Sequence, residues 1–199
     1  MIENKWSIFR ILMVVVTVLF LIARISNIIY LLELSNMPIL GNLIFPFVIQ
    51  LSFLAILIFV PNQYRFLAIL PLLYFVAGLI LPLIEFVRNP TGFTYPSIFI
   101  FQYISSRIIS IVAYITYIIL LLPNFKYKIK HAILAGSFVI PLIFLFFINL
   151  VMNMGYMFGQ DLVQFILRNV FGNFILSTSF TIVFTLFILE HLNKEQTTY

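Results

Sequence analysis

Six stretches of this sequence, approximately residues 7–31, 43–60, 66–87, 97–122, 131–152 and 162–190, are apolar over roughly the 20 residues that a helix needs to cross about 30 Å of hydrocarbon. Such runs leave few structures open. In lipid the backbone N–H and C=O groups find no water, so each run has to satisfy its own hydrogen bonds, and a helix does this within one segment. The predicted fold is therefore all-α: a polytopic transmembrane helical bundle of six spans in a single membrane-embedded domain over residues 1–199. Between the runs stand short connections rich in turn formers, namely Ser35-Asn36-Met37-Pro38, Pro61-Asn62-Gln63, Asn89-Pro90-Thr91-Gly92 and Pro123-Asn124.

Composition excludes the alternatives. Hydrophobic residues make up 63% of the chain and charged residues 9%, whereas a soluble domain has about 45–50% apolar and 25% charged residues. Disorder, collagen and coiled coil fall to the same figures. Residues 1–23 imitate a secretory signal, with Lys5 and Arg10 ahead of an apolar run. No Ala-x-Ala-type site follows, however, and the apolar stretch continues past Arg24, so a retained first helix is expected.

The charges are few and unevenly placed. With the N-terminus inside, the inner segments hold seven cations, Lys5, Arg10, Arg65, Lys126, Lys128, Lys130 and Lys194, and the outer loops hold one, Arg88. Outer Glu33 and Asp161 are acidic. Short cytoplasmic loops carry an excess of Lys and Arg, so both termini are expected in the cytoplasm of a multi-pass protein of the cell (plasma) membrane. The net charge of +5 then needs no nucleic acid to explain it.

Three arginines, Arg24, Arg107 and Arg168, fall within spans. A charged side chain at a helix centre costs roughly 2.5–3.5 kcal/mol on insertion scales and is expected to snorkel, pair or face a polar cavity. Arg107 lies about 15 Å into the fourth span at 1.5 Å per residue, too deep to snorkel easily. Tyr103, Arg107, Ser110, Tyr114 and Tyr117 recur at helical spacing of three and four, forming one polar and aromatic stripe. In the sixth span Asp161, Gln164, Arg168 and Gly172 share a face. In the third, Tyr74, Gly78, Pro82 and Glu85 lead to Arg88, an i, i+3 partner for Glu85. All of these groups fall in the outer half, and the inner half is expected to carry almost no charge. The predicted ligand-binding residues are Arg107, Tyr103, Tyr114, Glu85, Arg168 and Arg24. Their excess of cations suits a small anionic or polar ligand entering from outside.

Catalysis is not expected. The chain has a single aspartate, Asp161, and no cysteine, which excludes a di-aspartyl site, a thiol nucleophile and a thiolate metal site. His131 and His191 fall at predicted inner ends, away from the polar stripe. No Gly-rich phosphate loop occurs. No cofactor and no metal is expected. The expected partners are the lipid bilayer, a small anionic ligand and a partner membrane subunit, with no nucleic acid. Prolines Pro46, Pro71, Pro82 and Pro141 are expected to interrupt the second, third and fifth helices. Ala132, Ala135, Gly136 and Ser137 form a small-residue surface suited to close helix contact, within this chain or with another subunit.

In its length, its six helices with both termini inside and a pocket opening outward, this architecture resembles the membrane-embedded substrate-binding subunits of energy-coupling-factor transporters. The resemblance rests on size and topology. That family's first helix usually carries an Ala-x-x-x-Ala contact motif, and the first span here has one alanine, Ala23. It implies a solute-binding or transport subunit. The alternative from the residues themselves is a non-catalytic membrane partner, such as an assembly factor, an immunity or resistance protein or a sensor subunit, whose buried charges pair internally.

Overall fold

The computed structural model describes residues 7–34, 44–88, 97–123, 125–154 and 174–196. In chain order these form α1 (Ile8–Leu34), α2 (Phe45–Phe59), a 3-10 helix (Asn62–Ala68), α3 (Ile69–Arg88), α4 (Ser97–Leu120), α5 (Ile129–Ser137), α6 (Val139–Met154) and α7 (Leu176–Gln196). No strand occurs among the described residues. Four helical stretches, Ile8–Ser26, Gln63–Arg88, Ile100–Leu120 and Ile129–Ile148, are long and apolar enough to cross a membrane, and Phe45–Phe59 is a shorter apolar helix. Of the sixth expected span, only the part from residue 174 onward is described.

Helix α7 is the centre of the bundle and packs against α1, α2, α5 and α6, while α3 lies against α4. Its buried face carries Phe180, Val183, Phe184, Phe187 and Ile188. Against these pack Met13 and Phe20 of α1, Phe53, Leu54 and Leu57 of α2, and Ala132 and Ala135 of α5. The ring of Phe180 meets Phe20 at 5.7 Å and Phe53 at 5.3 Å between centroids, joining three helices by aromatic contacts.

Each outer helix reverses the soluble pattern. On α1 the exposed positions Ile11, Val15, Val18, Ile22, Ile25 and Ile29 recur every three or four residues, making an apolar stripe on the outer face. Ile108, Val112, Ile115 and Ile119 repeat the pattern on α4. Soluble monomers seldom expose contiguous apolar patches above a few hundred Å². These faces suit lipid, and the apolar helices are compatible with an integral membrane protein.

The prolines act differently from their expected role as interruptions. Pro46 stands at the start of α2, where helix N–H groups lack intrahelical partners and a missing one costs little, and Pro71 stands just after the junction of the 3-10 helix with α3. Pro82 lies inside α3. Pro141 does coincide with a break: α5 ends at Ser137 and α6 starts at Val139, around Phe138. A proline at 141 cannot donate to the Ser137 carbonyl four residues earlier, which accounts for the interruption at that point. The small-residue surface on α5 finds its partner within the chain, since α5 packs on α7 and a Cβ built on Gly136 would meet Thr185 Cγ2 at 3.5 Å.

Candidate functional site

The polar stripe on α4 divides into two parts. At its start the Arg107 guanidinium lies over the Tyr103 ring, 4.3 Å from the centroid, so the cation meets a π face on its own helix. Ser106 Oγ donates to the Tyr103 carbonyl at 3.0 Å, a back-bond that satisfies the hydroxyl without a cavity. Further along, the stripe turns into the core. Tyr114 sits among Phe75, Tyr117 and Phe180, at centroid distances of 5.8, 6.3 and 6.3 Å. Tyr117 is fully buried, stacks on Phe184 at 4.3 Å and donates its hydroxyl to Thr181 Oγ1 at 2.9 Å.

The remaining predicted site residues are scattered. Glu85 and Arg88 are both exposed, and among the described residues neither enters an ion pair with the other or with Arg107. Arg24 is half-buried on α1, with a buried Nε that has no hydrogen-bond partner among the described residues. On the third-span face, a Cβ at Gly78 would meet nothing within 4 Å, so this part of the face is not packed. Arg168, Asp161, Gln164 and Gly172 lie outside the described residues, as do the side chains of Glu33, Asn149 and Asn153.

A denser group of charges gathers at the opposite end, around residues that sequence reasoning treated as topology markers or passed over. Glu190 of α7 is 1% exposed. Its Oε1 is 3.2 Å from Arg10 Nε and 2.7 Å from Lys194 Nζ. Arg65, 4% exposed, is carried there by the 3-10 helix that follows Pro61. Its Nε donates to the Val60 carbonyl at the end of α2, 3.1 Å away, an interaction that favours a cation at a helix C-terminus. Its guanidinium covers the Phe187 ring at 4.6 Å, its buried Nη2 has no hydrogen-bond partner among the described residues, and the charges of Glu190 and Arg10 act on it.

The α4–α5 connection closes this end. Tyr127 donates to the Leu120 carbonyl at 2.8 Å, and its ring meets His191 at 4.9 Å and Phe187 at 5.7 Å. Burial pushes the Tyr127 phenol above its ordinary value, and the Arg65 charge opposes that. His131 Nδ1 accepts the Lys128 backbone N–H at 3.0 Å, which makes this histidine a cap on α5. A cavity of about 360 Å³ opens here, bordered by Gln63, Arg65, Leu122, Phe125, Tyr127 and His191.

This end of the bundle therefore carries a buried group of charges where the sequence leads one to expect almost none. One signal was present in the sequence. Val183, Phe187 and Glu190 follow helical spacing, so the carboxylate continues the apolar face of α7, and Lys194 stands four residues beyond it. Nothing in the sequence marked Arg65 as buried.

Compared with known proteins, the chain matches no family model, no curated sequence and no solved structure.

Proposed function

We propose that the chain is a six-span protein of the cell membrane with both termini in the cytoplasm. In this reading it is a solute-binding or transport subunit for a small anionic or polar ligand that enters from the outer side and engages Arg107, Tyr103, Tyr114, Glu85, Arg168 and Arg24. The supporting observation is the state of Arg107. It has a ring face and no carboxylate among the described residues, which leaves its charge available to a ligand anion. No catalytic step is part of the proposal.

A second reading has its own support. The Arg10–Glu190–Lys194 group is an internal charge arrangement of the kind that a non-catalytic membrane partner would use to hold its helices. Thermal unfolding of the purified protein against a panel of small carboxylates, phosphates and vitamins separates the two. Solute binding requires a saturable stabilisation that weakens by about tenfold in Arg107→Ala, the loss of one charge-assisted contact. No stabilisation by any member of the panel favours the second reading.

A further inference from the structure

We propose that three exposed lysines at the α4–α5 connection, Lys126, Lys128 and Lys130, bind the headgroups of anionic phospholipids. The proposal rests on the membrane placement given above and not on solute binding at Arg107. The chain is extended at Lys128 before it enters α5, and in extended backbone alternate side chains point to opposite sides. Phe125 and Tyr127 take the inner side. Their rings lie 5.6 Å apart, Phe125 meets His131 at 4.9 Å, and Tyr127 reaches His191 and the Leu120 carbonyl. Lys126 and Lys128 are therefore held outward, and Lys130 joins them from the first turn of α5; all three are exposed.

Charge and surroundings select the occupant. The first turn of α5 carries no acidic residue, and among the described residues none of the three lysines forms an ion pair. In the sequence no Asp or Glu occurs between Glu85 and Asp161. The patch is thus an unbalanced cationic surface, which attracts anions. Apolar side chains stand beside it. Leu122 and Ile129 are exposed, and from Ile129 the outer face continues through Ile133, 66% exposed, to Ile140 and Phe144 of α6. A soluble acidic peptide would meet the lysines and leave this apolar face in water. A phospholipid meets both, with its phosphate at the lysines and its chains along α5 and α6. Lysine suits that position, because its stem lies along apolar surface while the ammonium reaches the polar layer.

The test uses the full chain in a neutral detergent, with binding of phosphatidylglycerol against phosphatidylcholine followed by native mass spectrometry. Wild type should prefer phosphatidylglycerol, and less so as ionic strength rises. A lysine at an anionic surface contributes about 1 kcal/mol, or about fivefold in affinity. Each of Lys126→Gln, Lys128→Gln and Lys130→Gln should weaken the preference by that factor, and the triple variant should abolish it, whereas Arg at all three positions should retain it. Arg88→Gln and Arg107→Ala should leave it unchanged, so this surface and the solute reading fail independently. Reconstitution into phosphatidylcholine nanodiscs checks the membrane placement: failure to enter them overturns that placement and this proposal with it, while entry without a phosphatidylglycerol preference overturns this proposal alone. A preference that survives the triple Gln variant would reduce the lysines to topology markers and overturn it. Tighter binding of soluble polyglutamate than of phosphatidylglycerol would assign the surface to an acidic partner and overturn it as well.

Discussion

Arg10 Nε and Glu190 Oε1 lie 3.2 Å apart, joining the first and last described helices at one end of the bundle. The carboxylate is 1% exposed and also holds Lys194, whose side chain is 46% exposed. The two cations are thus unequal. Removing the carboxylate leaves the Arg10 charge without its anion and acting on Arg65 unopposed, whereas removing Lys194 leaves a carboxylate that keeps Arg10.

For Glu190→Ala the expected loss of stability is about 3–5 kcal/mol, the range for removing one member of a buried charge pair. Lys194→Ala should cost no more than about 1 kcal/mol because its partly exposed charge is screened. Thermal unfolding of the two variants in the same detergent checks the ordering. Equal losses would mean that Glu190 is not the centre of the group.

Tyr117→Phe removes only the hydroxyl that reaches Thr181 Oγ1. Hydrogen bonds between membrane helices contribute about 0.6 kcal/mol on average, and a double cycle with Thr181→Ala should return a coupling of that size. Tyr117→Ala also removes the stacking on Phe184 and opens a cavity, with an expected cost of about 3–5 kcal/mol.

The two described helical glycines should respond in opposite ways. Gly136 faces Thr185 with room for an ordinary Cβ contact, so Gly136→Ala should fold normally and Gly136→Leu should separate α5 from α7 and lower the unfolding temperature. At Gly78 nothing lies within 4 Å, and Gly78→Ala should be neutral or stabilising by up to about 1 kcal/mol, the propensity difference in a helix.

Alkaline pH provides a test of Tyr127. Burial raises its folded-state pKa above the ordinary phenol value of 10.0, so the folded form holds its proton more tightly than the unfolded form. The stabilisation linked to this proton is complete below pH 10 and is lost as pH rises from there through the folded value. Tyr127→Phe should flatten this part of the stability profile, and an unchanged slope would place its origin elsewhere.

The absence of cysteine makes orientation directly measurable. Arg88→Cys and Lys128→Cys each introduce a single thiol at an exposed position. A membrane-impermeant maleimide should label Arg88→Cys in intact cells and Lys128→Cys only after permeabilisation. The reverse pattern would invert the proposed topology.

Much of the fold was readable because length and apolarity are properties of a segment. The stretches 7–31 and 97–122 foretell α1 and α4 closely, as Ile8–Leu34 and Ser97–Leu120. The break at Phe138 was less visible, although Pro141 pointed to it, because a proline at the start of a helix and one inside it look alike until the boundaries are known. The Tyr103–Arg107 neighbourhood also follows from spacing along one helix. The destination of Tyr114 and Tyr117 does not, since the stripe rotates into α7 halfway along its length.

By itself the sequence determined an all-helical chain with lipid-suited faces and a concentration of basic residues in alternate connections. Those features depend on residue type and order. The structure also draws Arg10 and Arg65 from distant segments to one end of the bundle, towards Glu190 and its helix neighbour Lys194. Only the tertiary structure decided which of these charges are buried. Burial depends on how α7 is rotated against α1, and on how the 3-10 helix after Pro61 carries Arg65 under the end of α2. Both are relations between segments far apart in the chain, set by packing, and no local pattern encodes them.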